Sequence, residues 1–327
     1  MEDVLYSIRN LDVRYATRSG DVYAVDDVSL DIRRGEILGL VGESGCGKST
    51  LGKAIMRMTR TPGRIDGGEL WFDGEDLMTY SEKQMQSIRG GEIGMVFQDP
   101  MTSLNPVQRV VEHLTETIRT HEPKVSELAA TARAEELVEK LGIRRERLDD
   151  YPHQLSGGMR QRVMISLALA LRTKLVIADE PTTSLDVIVE AKFLDLLREL
   201  RDEFDLTILI ITHNIGVVAE VADRVAVMYA GRMAEVGDVY GVFAEPKHPY
   251  TVGLLHSVPN IDLEAHDLYK MEGAPPNLLD PPSGCPFHPR CPKAMDICAI
   301  DVPVFHEVVP GQGTACWLYD EVEVAGG

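Results

Sequence analysis

The stretch GEILGLVGESGCGKST, Gly35 to Thr50, narrows what this chain can fold into more than any other. An apolar run that suits a buried strand ends in glycines, and a helical pattern, STLGKAIMRM, begins at Ser49. Between them GESGCGKST fits G-x-x-x-x-G-K-[ST]. Glycines at those positions let the backbone curl so that several N–H groups point inward at phosphate oxygens. Gly42, Glu43, Ser44, Gly45, Cys46, Gly47, Lys48, Ser49 and Thr50 therefore read as one phosphate loop. Lys48 supplies a point charge at the β- and γ-phosphates, and Ser49 a magnesium ligand. Cys46 fills a permissive position as a small residue, and its thiol is a candidate oxidation point. A glycine-rich turn matching by chance is expected in roughly 1% of chains this long. The loop alone does not choose between kinases, GTPases and ATPase motors.

LVIADE narrows the chemistry. Its apolar residues hold a strand in the core, and Asp179 emerges at the end, where it can support a magnesium shell. Glu180 beside it can polarise an attacking water. Other stretches alternate in the same way. EIGMVFQ and LTILIITH read as buried strands, RVAVMYAGRMAEVG as a hairpin, and VIVEAKFLDLLRELRDEF as a helix. From Pro106 to about Leu148, VVEHLTETIRTHE and ELAATARAEELVEKLGI carry apolar residues at three- and four-residue spacing. Continuous apolar strands between helices predict an α/β fold with a parallel sheet covered on both faces. Beyond Gly237 proline becomes dense and periodicity is lost, which predicts an irregular extension too poor in apolar residues to build much core by itself.

At 327 residues the chain has room for one large domain or two modest ones. Its longest apolar runs, such as LTILII, fall far short of a membrane span. The opening MEDVLYSIRN lacks a basic region followed by an apolar one, so the expected compartment is the cytoplasm. Fifty-two acids outnumber 33 basic side chains, for a net charge of −19. That excess argues against general affinity for nucleic acid or anionic lipid. The basic side chains are 23 arginines and only 10 lysines. Acid excess with arginine favoured suits a salt-adapted cytoplasm, where screening relieves self-repulsion, and composition alone fits an ordinary acidic protein equally well.

LSGGMRQRV, Leu155 to Val163, decides the class. It opens a long apolar helix, so the Ser156, Gly157 and Gly158 amides lie at a positive helix end suited to a phosphate. The nucleotide of this chain already has its own loop, so a second anion clasp makes sense for a nucleotide bound to another subunit. With these motifs the chain resembles, over nearly its whole length, the ATP-binding subunits of ATP-binding-cassette (ABC) transporters. FQDPMTSLNP (Phe97 to Pro106), HPYTVGLL (His248 to Leu255) and the terminal CPFHPRC resemble the branch serving dipeptide, oligopeptide and nickel importers.

The resemblance implies a P-loop NTPase core over 1–97 and 166–237, an inserted α-helical signature subdomain over 98–165, and a cysteine-containing extension over 238–327. It assigns ATP and magnesium as ligands. Tyr15 is similar to the aromatic that stacks on adenine, with Tyr23 as the alternative. Gln98 resembles the glutamine that touches the magnesium and water site, joining Ser49 and Asp179 around the metal. Asp186 in TTSLD resembles the aspartate at the dimer seam, and His213 the histidine that contacts the γ-phosphate. Catalysis then falls to Glu180, His213, Lys48 and Gln98. The implied partners are a second ATPase subunit, identical or different, two transmembrane permease subunits, and an extracytoplasmic substrate-binding protein, with no nucleic acid. The implied location is the cytoplasmic face of the cell membrane. Peptide is the first-choice solute, with nickel or an oligosaccharide as alternatives. A soluble cassette ATPase without a permease is the opposing class.

Cys285, Cys291, Cys298 and Cys316 are spaced C-x5-C-x6-C-x17-C. Without a secretory signal such a group reads as a metal site that would cross-link the loops. Structural zinc usually begins with a closer ligand pair, and the spacing is not a common ferredoxin pattern either. The residues leave iron–sulfur, zinc and free thiols open. The family resemblance implies a [4Fe–4S] cluster.

The composition carries its own test. If the acid excess marks salt adaptation, stability and ATPase activity rise between about 0.1 M and molar salt. A flat or falling profile in a salt-titrated melting and turnover series fits the ordinary acidic reading.

Overall fold

The computed structural model describes residues 4–97, 103–183, 185–257 and 271–320. Strands in chain order are β1 (Val4–Thr17), β2 (Gly20–Arg33), β3 (Ile37–Val41), β4 (Gly63–Phe72), β5 (Glu75–Asp76), β6 (Ile93–Val96), β7 (Leu175–Asp179), β8 (Thr207–Thr212), β9 (Arg224–Tyr229), β10 (Arg232–Asp238), β11 (His306–Val309) and β12 (Gln312–Thr314). The helices are α1 (Lys48–Ile55), α2 (Glu82–Ile88), α3 (Val110–His121), α4 (Glu127–Lys140), α5 (Gly157–Leu169), α6 (Val187–Phe204), α7 (Ile215–Val221), α8 (Val239–Ala244) and α9 (Pro249–His256). These elements form two units. One comprises Met1–Leu5, Ile32–Ile37 and Asp76–Ile211, and the other Tyr6–Asp31, Leu38–Glu75 and Thr212–Gly327.

In the first unit β6, β7 and β8 run parallel, with Ile93 opposite Leu175 and Leu175 opposite Thr207. Every residue of the three strands is buried, which is why their sequences show no polar alternation. Helices follow the period expected of them. α3 buries Val110, Leu114 and Ile118 at four-residue spacing. α4 starts at Ser126, whose hydroxyl accepts the Ala129 N–H at 3.2 Å, with Glu127 in its first turn. α5 buries Val163, Met164, Ile165 and Ser166 in succession, so it is enclosed around much of its girth. α6 buries Phe193, Leu194, Leu196, Leu197 and Leu200 and ends at Asp205 in the left-handed conformation.

The second unit pairs β1 with β4 antiparallel, Tyr6 opposite Phe72 and Ile8 opposite Leu70. The Tyr6 hydroxyl donates to the Ile55 carbonyl at 2.8 Å, fixing the end of α1. β3 runs parallel to β9, and β9 turns back into β10 through Ala230 and Gly231, both at positive φ. That two-residue turn matches the right-handed twist of a hairpin.

The proline-rich extension is more regular than its sequence suggests. β12 pairs antiparallel with β10 and β11 with β12, so the chain end lengthens the sheet. These strands are four residues or fewer, too short for periodicity to reveal. The extension shares a core rather than making its own. Tyr250, Leu254, Phe287 and Cys298 pack in one cluster with Val41, Val225 and Val227 of the sheet.

Glu235 on β10 ties this arrangement together. It is fully buried, and its carboxylate accepts the Lys247 N–H at 2.7 Å, the His248 N–H at 2.9 Å and the Gln312 side-chain amide at 2.7 Å. Burial pushes the His248 imidazole down to about 4. Its ring is thus neutral at pH 7, and Nδ1 accepts the Tyr250 N–H at 3.0 Å as the cap of α9. Glu235→Ala should cost about 3 kcal/mol, because it strands buried donors in two segments. Urea denaturation reads the cost, and limited proteolysis should show the extension opening first. A loss below about 0.5 kcal/mol would remove Glu235 as the tie.

Candidate active site

The phosphate loop lies in the second unit, between β3 and α1. Gly47 caps α1 at φ 107°, and a methyl group there would collide with the Ala24 carbonyl oxygen. Gly42, at φ 155°, has the same problem with the Met228 carbonyl. Close backbone approach, as much as conformational freedom, dictates these glycines. Ser44 and Gly45 are exposed along the loop, while Lys48 is only 5% exposed at its base. The Lys48 ammonium donates to the Gly42 carbonyl at 2.8 Å and the Glu43 carbonyl at 3.0 Å. Cys46 is buried, and burial raises its thiol pKa, so it stays protonated at neutral pH. Ser49 and Thr50 are half-buried in the first turn of α1.

Tyr15 is half-buried on β1, with Gly63 close against its ring. Tyr23 differs, because the Arg14 guanidinium covers one face of its ring at 4.5 Å. His213 is exposed directly after β8, one residue before Asn214, whose side chain caps α7 by accepting the Gly216 N–H at 3.0 Å.

The first unit holds the acidic pair. Asp179 ends β7 at 4% exposure. Glu180 follows at φ 49°, a left-handed conformation that a side chain of this kind rarely adopts. Its N–H is fixed to the Ile211 carbonyl at 2.8 Å, and its carboxylate accepts the Thr183 hydroxyl at 3.0 Å. The strain turns the carboxylate away from the direction the strand would impose, and Thr183 orients it. Thr183 lies within TTSLD, but the sequence points there to Asp186 and gives no sign that the threonine reaches Glu180.

Ser156 caps α5 by accepting the Met159 N–H at 3.3 Å. Asp186 caps α6 in the same way through the Val189 N–H at 3.0 Å. Ser156, Gly157, Gly158 and Asp186 line one open depression, so the clasp and the seam aspartate come together. Gln98 lies outside the described residues.

The four extension cysteines also converge. Cys285, Cys291, Cys298 and Cys316 line one small pocket with Phe287 and Trp317. All four are free thiols, and burial pushes Cys285 and Cys316 up to about 11, with Cys291 moved the same way. Among the described residues no group of three or more His, Cys, Asp or Glu side chains is set to hold a metal ion. The zinc alternative, which needs its ligands close around a single ion, therefore has no support in the side-chain geometry. The thiols surround a void without closing on one point.

Known proteins bear on this geometry. Residues 25–183 match the family described as ABC transporter, and residues 234–298 match the oligopeptide/dipeptide transporter C-terminal region. The chain is 48% identical to the oligopeptide transport ATP-binding protein OppD of Salmonella typhimurium, over 96% of this chain and 94% of that one. It is 46% identical to the dipeptide transport ATP-binding protein DppD of Bacillus subtilis, over 98% and 96%. Among solved structures, a dimeric bacterial ABC transporter cassette matches with a TM-score of 0.65 at 28% identity, covering 72% of this chain and 99% of that one. The post-hydrolysis state of the same cassette, bound to ADP and Pi, matches equally well.

Gly47→Ala tests the loop. The collision with Ala24 must open the turn that starts α1, so ATP binding should fall at least about 100-fold while the melting temperature drops only a few degrees. Equilibrium dialysis against ATP with magnesium checks it. Undiminished binding would show that the loop does not need this backbone path.

Proposed function

Because the chain belongs to the ATP-binding subunits of oligopeptide and dipeptide ABC transporters, we propose a role for each part of its site in ATP-driven peptide import. The chain is the ATP-hydrolysing subunit of such an importer. What carries the peptide reading is the match of residues 234–298 to the peptide-transporter C-terminal region, beside relatives named for oligopeptide and dipeptide transport. Nickel and oligosaccharide importers, and a soluble cassette acting without a permease, find no such support.

The nucleotide binds with its phosphates in the Gly42–Thr50 loop. Lys48 exchanges loop carbonyls for phosphate oxygens, and Tyr15 stacks on adenine. Ser49, Gln98 and Asp179 would hold magnesium, which would supply charge neutralisation for the phosphoryl group being transferred. Glu180 accepts a proton from the attacking water, with Thr183 keeping its carboxylate aimed, and His213 contacts the γ-phosphate. Two cassettes face each other, and Ser156, Gly157, Gly158 and Asp186 of one cover the nucleotide of the other. The exposed Val187 and Ile188, at the start of α6 beside Asp186, support a covering partner there. Among the described residues no helix is long and apolar enough to cross a membrane, so the substrate path is assigned to permease subunits. Binding to those permeases places the chain at the cytoplasmic membrane face, and an extracytoplasmic binding protein delivers peptide.

Glu180→Gln should keep ATP binding, lose turnover by about 10²–10⁴-fold, and accumulate an ATP-bound dimer, since only proton acceptance is removed. Turnover assays and sedimentation with ATP read this. Turnover at the wild-type rate would remove Glu180 from the mechanism.

A second reading concerns the cysteines. Their convergence on one pocket supports a [4Fe–4S] cluster held by Cys285, Cys291, Cys298 and Cys316, because a cluster spreads its ligands around a larger core than a single ion does. Its role would be structural, cross-linking the loops of the extension. Anaerobic purification should give about four irons and matching sulfide per chain. Colourless protein without iron or sulfide would leave a pocket of free thiols.

A further inference from the structure

Glu43, the second residue of the phosphate loop, is gripped from the C-terminal extension. Its carboxylate takes both arms of the Arg290 guanidinium, Nη1 to Oε2 at 2.8 Å and Nη2 to Oε1 at 3.0 Å. Its N–H donates to the Tyr250 hydroxyl at 2.8 Å, and its carbonyl accepts Lys48. Side chain, N–H and carbonyl of one loop residue are therefore all held. Two of the three holds come from residues more than 200 positions away, 207 for Tyr250 and 247 for Arg290.

Arg290 is not a surface arginine that happened to find an acid. Its side chain is 6% exposed, against 23% for Glu43. Nε donates to the Glu272 carbonyl at 3.2 Å, and Nη1 also reaches the Tyr229 hydroxyl at 3.1 Å. The guanidinium lies over the Tyr229 ring at 5.8 Å and the Phe287 ring at 6.0 Å. Its backbone belongs to the turn His288–Arg290, whose N–H groups at Arg290 and Cys291 bond back to Phe287 and His288. With its forks and faces engaged, this side chain cannot swing away without losing several contacts at once. A planar guanidinium suits such a bidentate, stacked position, and lysine would not replace it fully.

We propose that Arg290 and Tyr250 are positioning residues of the nucleotide site, through which the C-terminal extension sets the affinity of the phosphate loop for ATP. This rests on the reading of the loop as the ATP site. A bare Glu43 carboxylate in the loop would repel the triphosphate that the loop must accept. Arg290 cancels that charge, so that Lys48 does not have to serve the Glu43 carboxylate as well as the phosphates. The Tyr250 hydroxyl engages the Glu43 N–H and pins the peptide at the start of the loop. The extension thereby acquires a direct physical route to the nucleotide end.

The test is the equilibrium Kd for magnesium ATP in the full-length chain, with melting temperature measured alongside. Arg290→Met should weaken binding about tenfold. Arg290→Lys should fall between that variant and wild type. Adding Glu43→Gln to Arg290→Met should recover most of the loss, because the charge needing cancellation is gone. A merely structural role would not be rescued that way. Tyr250→Phe, which keeps the buried ring and removes only the hydroxyl that holds the Glu43 N–H, should weaken binding about threefold and keeps the test alive if Arg290→Met fails to fold. Lys48→Ala separates the two layers. Lys48-dependent binding with an unchanged Arg290→Met Kd overturns this inference alone, whereas absent Lys48 dependence overturns the ATP-site reading beneath it. A double variant as weak as Arg290→Met, or a Tyr250→Phe as tight as wild type, also overturns it.

Discussion

An ammonium buried to 5% exposure has to be surrounded by acceptors, and in this chain the Gly42 and Glu43 carbonyls supply them. Lys48 thus holds the phosphate loop in its curled form from within. The glycines make the curl sterically feasible, and the ammonium makes it favourable. Everything else around the loop preserves this one arrangement. The Gly231 N–H binds the Cys46 carbonyl at 2.9 Å, and the Leu51 N–H binds the Gly47 carbonyl at 2.9 Å, so the loop is stitched to the β9–β10 turn and to its own helix.

Behind the loop stands an aromatic stack that explains why the extension can serve as a support. Tyr229 and Tyr250 have ring centroids 4.5 Å apart, and Phe287 lies 5.2 Å from the first and 5.5 Å from the second. Such pairs contribute roughly 0.5–1.5 kcal/mol each beyond burial. Tyr229 comes from the sheet, whereas Tyr250 and Phe287 come from the extension, so the stack welds the two. A tail whose sequence looks too proline-rich to fold acquires stiffness by borrowing the sheet, with Glu235 satisfying the backbone donors where α9 begins. In the other unit, stiffness serves Glu180 in a different way. A left-handed residue pinned between the Ile211 carbonyl and Thr183 keeps its carboxylate in one direction.

Local signals made much of this legible in the sequence. The loop, the strand ending at Asp179, the α6 helix and the β9–β10 hairpin each announce themselves within a window of twenty residues, because motif and periodicity are local properties. The helix start at Ser156 was legible for the same reason, although the depression it shares with Asp186 was not. Interactions spanning hundreds of positions left no trace in the pattern. Nothing in HPR between two cysteines says that its arginine reaches Glu43, and nothing in HPYTVGLL says that its tyrosine binds a loop amide. β11 and β12 escaped notice because strands this short have no period. The cysteine spacing did foretell that four thiols would meet, but not that their side chains would stand around a void without converging on an ion.

Amide hydrogen exchange of the full-length chain, with and without magnesium ATP, bears most directly on the coupling between loop and extension. If Glu43 is the junction, nucleotide should slow exchange in residues 42–50 and, in the same titration, in residues 248–255 and 284–291. Protection confined to 42–50, with the two extension segments unchanged at saturating ATP, would contradict it.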